Sequence, residues 1–155
     1  MVKTKSLLLE TWTLDPNFLM TNLYIASSYA DRGLIEQALP FAEKIATSAP
    51  WFGLGVGQYA GLLVRVDQTE KASDVLQTLG HGERYGAAMG LAMFHIRCGN
   101  LELAADWFEK AIEERNTTVA VYLQSATGAP LRASPRWFIL AALMNLPAAD
   151  KIDTN

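Results

Sequence analysis

The chain has 155 residues, with 13 Lys plus Arg against 16 Asp plus Glu and a net charge of −3; this suits one domain of ordinary size and disfavours a surface that tracks nucleic-acid phosphates. Apolar residues make up 50% and charged ones 19%, with a mean hydropathy of +0.10, so some apolar surface is expected to meet another domain or subunit. A single cysteine, Cys98, excludes an internal disulfide and a multi-cysteine zinc site, and no apolar run of about 18 residues is present to span a membrane.

The start is basic, but Lys3 and Lys5 lead only to Leu7-Leu8-Leu9 before Glu10, too short for a signal-peptide core. Residues 3–18 read as one helix ending in Leu14-Asp15-Pro16, with Pro16 lying 34 residues before Pro50. That helix looks like the second half of a repeat unit whose first half is missing. A fragment of a longer protein is therefore expected, with a capping helix as the alternative.

Residues 19–50 form a first unit. Leu19, Leu23, Ile25, Ala26 and Tyr29 follow a helical period, Gly33 stops it, and a second helix runs through Ala38, Leu39, Ala42 and Ile45 to Pro50. Pro40 should kink or delay that second helix. Residues 53–83 form a second unit (Val56, Tyr59, Ala60, Leu63; then Ala72, Val75, Leu76, Leu79), and residues 84–116 a third (Leu91, Ala92, His95; then Leu103, Ala104, Trp107, Phe108, Ala111, Ile112). Three columns align: Ala26, Ala60 and Ala92; Gly33, Asp67 and Gly99; Ala38, Ala72 and Ala104. Each column shows a spacing of 34 and then of 32. Small residues recur because antiparallel helices joined by a tight turn approach closely only where side chains are small. One pair cannot bury its faces alone, so pairs must stack.

This pattern resembles the tetratricopeptide repeat, a helix–turn–helix unit of about 34 residues. The matching residues are Ala26, Tyr29, Gly33, Ala38 and Pro50, then Ala60, Asp67 and Ala72, then Leu91, Ala92, Gly99, Ala104, Phe108 and Ala111. The signature tryptophan is missing; its column holds Asn22, Val56 and Ala88. The resemblance implies an all-α fold, a right-handed α-solenoid of helix pairs closed by a C-terminal capping helix.

Residues 117–147 depart from the repeat. A short helix is expected over Val119–Gln124, a loop over Ser125–Ser134, and a final helix from Pro135 to Asn145, with Ser134 as its cap. Trp137, Phe138, Leu140 and Met144 give that helix too much apolar surface to stay in solvent, so it should fold back over the array end or into a groove. Residues 148–155 are expected to fray. The stretch Leu131-Arg132-Ala133-Ser134-Pro135-Arg136-Trp137, closed by Met144-Asn145-Leu146-Pro147, is similar to the end of repeat regions in bacterial signalling proteins that carry an N-terminal cyclase or winged-helix domain. That similarity implies the C-terminal, non-catalytic part of a regulator, cytoplasmic unless a membrane span precedes it.

Little catalytic chemistry is legible. Gly53-Leu54-Gly55-Val56-Gly57 meets neither dinucleotide nor P-loop spacing, and His95 with Cys98 lacks further ligands. Neither an enzyme, a cofactor nor a metal is expected. Instead, helical spacing on the first helices draws a candidate partner groove: Leu23, Tyr24, Ser27 and Asp31; Gln58 and Arg65; Met89, Met93 and Arg97. Gly57, Gly61 and Gly90 would strip its floor of side chains, unless they only let helices pack closely. The expected partner is a protein or peptide. A homodimer through the greasy surface is the alternative, and a small-ligand sensor using the hollow a third possibility.

Overall fold

The computed structural model describes residues 2–147, with side chains from Leu7 onward. The expected fraying of 148–155 lies outside the described residues. Within them the chain is all-α, with ten helices and no strand: α1 (Val2–Leu14), α2 (Leu19–Asp31), α3 (Ile35–Ser48), α4 (Gly53–Arg65), α5 (Thr69–Gln77), α6 (Ala87–Arg97), α7 (Leu101–Glu113), α8 (Thr118–Gln124), α9 (Ala129–Arg132) and α10 (Trp137–Leu143). The expected pairs exist as α2/α3, α4/α5 and α6/α7, each helix packed on its partner. Further packing joins α3 to α4 and α4 to α6, while α1 rests on α2 with Trp12 edge-on to Phe41.

The turn column has one physical meaning in all three pairs. Gly33, Asp67 and Gly99 adopt left-handed φ values of +75°, +60° and +77°. Each ends its helix with the same two bonds. Gly33 N–H donates to the Ala30 carbonyl and Leu34 N–H reaches back to Tyr29; Asp67 and Gln68 bond Val64 and Leu63; Gly99 and Asn100 bond Ile96 and His95. This is the Schellman cap, which satisfies carbonyls that the helix end would orphan. Two more follow it, at Arg115 (φ +55°) and Asn145 (φ +54°), so the device also closes α7 and α10.

The alanine columns are buried in every copy. Glycine does the same work more severely where α4 crosses α6. A Cβ on Gly57 would strike the Gly90 carbonyl, one on Gly53 the Gly86 carbonyl, and one on Gly90 the Gly53 carbonyl. The glycines therefore do not floor a hollow, because the backbone of α6 fills that space.

Pro40 neither delays nor interrupts α3, which starts at Ile35 and continues past it to Ser48. The N–H it lacks would have bonded the carbonyl four residues back, in the solvent-exposed first turn, so little is lost. The last helix is shorter than expected. Ser134 Oγ donates to the Leu131 carbonyl at 2.7 Å instead of capping, and α10 begins at Trp137.

Candidate functional site

The nine residues expected to line an open groove do lie near one another, but the face is closed. Leu23, Met89 and Met93 are fully buried, in one apolar cluster with Val119, Tyr122, Leu123 and Leu131 of the C-terminal segment. The groove reading is corrected accordingly: α8, the following turn and α9 occupy the inner face. The stretch 125–134, expected to be a loose loop, is tied down, since Arg132 Nη1 donates to the carbonyls of Leu123 and of Ser125, the latter at 2.7 Å.

Polar members of the predicted groove form a network sealed under this segment. The Arg97 side chain is 7% exposed and pairs with the Asp31 carboxylate, whose side chain is 14% exposed. Arg97 Nη2 also donates to Gln58 Oε1 (3.2 Å) and to Thr127 Oγ1 (3.3 Å), and Ser27 Oγ donates to Gln58 Oε1 at 2.9 Å. Thr127 Oγ1 in turn meets the Asp31 carboxylate at 2.9 and 3.0 Å. Gln58 Nε2 and Arg97 Nε are buried without a hydrogen-bond partner among the described residues, and burial raises the Tyr122 phenol above its ordinary range, with Ser27 opposing the shift. Tyr24 and Arg65 remain exposed, and Arg65 donates to the Arg97 carbonyl at 3.3 Å.

The self-capping residues divide in the same way. Trp137 (8% exposed), Leu140 and partly buried Met144 pack into the core, and α10 lies on α7. Phe138 is 66% exposed and does not take part, because it falls outside the face of α10 that Trp137, Leu140 and Ala141 bury. Arg136 anchors the segment by bonding Glu102 (2.9 Å), Asp106 (2.7 Å) and Glu109, a stripe of carboxylates along α7. These three partners raise the guanidinium's pKa further.

Other chemistry-bearing residues have packing roles. His95 lies edge-on to Phe94 at 5.0 Å between ring centres, and burial lowers its pKa. Burial raises the Cys98 thiol, with Arg65 opposing the shift. On the outer side Tyr59 donates to Glu43 (2.7 Å), which also receives Lys71 (2.9 Å).

What the periodicity did not reveal is a cleft of about 270 Å³ where α4, α6 and α8 begin. Trp51, Tyr85 and Asn116 each stand two residues before the first residue of one of these helices, and all three line it. Trp51 is 68% and Tyr85 67% exposed, while Phe52 is anchored on the core beside Trp51. The sequence signal for this cleft was the placement of a large aromatic just ahead of a helix start.

Compared with known families, with curated proteins and with solved structures, the chain matches none of them. Among the described residues no helix is long and apolar enough to cross a membrane.

Proposed function

We propose that this chain is a non-catalytic protein-interaction module, a right-handed α-solenoid of three tetratricopeptide-like helix pairs closed by its own C-terminal segment. The threefold recurrence of buried alanines and left-handed turns supports the repeat type. The Pro135-Arg136-Trp137 segment acts as the closing piece, which accords with its likeness to the repeat-region ends of bacterial regulators.

The observation that carries the functional reading is the exposure of Trp51 and Tyr85 on one cleft while the inner face is filled. Exposed aromatic surface of this kind marks interaction sites, and aromatic anchors dominate binding at protein interfaces. Partners therefore meet the edge where α4, α6 and α8 start, and not the inner face.

A random peptide library panned over the immobilised chain tests this. Enriched sequences that bind saturably are expected; a library that enriches nothing would end the reading. A second reading, self-association, is favoured by apolar side chains left exposed at both ends: Leu7 and Leu14 on α1, Phe138, Ile139 and Leu143 on α10. A concentration-independent dimer in light scattering would move the function to that reading.

A further inference from the structure

We infer that the cleft at the starts of α4, α6 and α8 takes an extended, proline-bearing peptide segment, an inference that rests on the protein-interaction reading above. Its lining contains no Asp, Glu, Lys, Arg or His. No side chain of the wall offers a counter-charge, which favours an occupant whose contacting groups are uncharged.

The side chains of Trp51 and Tyr85 are two-thirds exposed, and aromatic rings of this kind can stack with an apolar ring. Between them and α8 stands Asn116, whose Oδ1 already accepts from Thr118 N–H (3.1 Å) and Thr118 Oγ1 (2.6 Å). Its amide N–H₂ is the side left for a ligand, so this group offers a donor and not an acceptor. A proline residue answers both features: its ring stacks on an aromatic face, and it brings a carbonyl acceptor with no N–H to satisfy. Proline-rich segments also arrive preformed in the extended polyproline helix, which lowers the entropy cost of docking in an aromatic-lined groove.

The test is a calorimetric titration of the whole chain with an acetylated, amidated nonaproline peptide, with a Gly-Ser nonapeptide as the control. Saturable binding to nonaproline alone is expected, weakened on the order of tenfold or more by Trp51→Ala and by Tyr85→Ala. Both side chains are two-thirds exposed, so unchanged thermal melts will show that each variant still folds. Absence of binding at millimolar nonaproline, or binding that ignores both substitutions, would overturn the assignment. So would Trp51-dependent binding of a neutral oligosaccharide such as maltotetraose without any of nonaproline, which would make this a sugar site. If nonaproline fails while library peptides still bind, only the proline assignment falls; if neither binds, the interaction reading falls with it.

Discussion

Asp31 and Arg97 lie 66 residues apart in the chain and form an ion pair whose side chains are 14% and 7% exposed. Gln58 on α4 and Thr127 beyond α8 complete its shell. Removing one partner of a buried pair leaves the other charge uncompensated, at a typical cost of 3–5 kcal/mol. Asp31→Ala should therefore destabilise the chain by about 3 kcal/mol in urea unfolding. The double variant with Arg97→Met should recover part of that loss; a double variant as weak as the sum of the two single ones would show the residues to be uncoupled.

Two kinds of glycine should respond differently to alanine. Gly57→Ala drives a methyl group into the Gly90 backbone, which cannot rotate away, and should cost about 3 kcal/mol. Gly33→Ala meets no atom within 4 Å and suffers only from its φ of +75°, so about 1 kcal/mol is expected. Equal losses in thermal melts would mean that α4 and α6 do not cross where described.

The left-handed caps suggest a gain as well. Arg115 holds φ +55°, and its exposed side chain forms no hydrogen bond among the described residues. Arg115→Gly relieves the left-handed strain and returns some chain entropy to the unfolded state, for a net gain of about 0.5 kcal/mol. Differential scanning calorimetry should show a melting point higher by roughly 1–2 °C.

On α10, neighbouring aromatics should separate cleanly. Trp137→Ala empties a core position and should cost about 3 kcal/mol or more. Phe138→Ala, at the exposed neighbour, should stay within about 0.5 kcal/mol. A reversal of that order would displace α10 from its seat on α7.

Much of the helix pairing could be read from the residues, because turns and close helix contacts leave local marks. Gly33, Asp67 and Gly99 sit where the left-handed turns occur, and the six aligned alanines are all buried. The inner face was misread for a reason of principle. A stripe such as Leu23, Ser27 and Asp31 looks the same whether solvent or a later part of the chain covers it. The covering residues carry little periodic signal: Thr127 lies in Ala126-Thr127-Gly128-Ala129-Pro130, a sequence that reads as loop. Trp51 and Tyr85 were hidden differently, since each stands outside a helical period that begins only two residues later.

His95 provides a pH test. Burial lowers its pKa from the ordinary value of 6.5, so the folded chain holds the ring neutral to a lower pH than the unfolded chain does. As pH falls through about 6.5 the unfolded chain takes up a proton that the folded one resists, and stability should decline from there down to the folded pKa. The melting point should drop between pH 7.5 and 5.5, and His95→Gln should flatten that drop. An identical slope in both proteins would assign the effect to other groups.

The Thr127–Asp31 contact joins residues 96 positions apart. In a repeat array whose units touch only their neighbours, folding can nucleate in any unit and spread, and the end units can unzip without the rest. Here the segment around Thr127 must reach back to the first helix pair before either is secure. Closing so long a loop delays the final step of folding. Once closed, it ties fraying at one end to the integrity of the other, so the chain should unfold as a single cooperative body and not unit by unit.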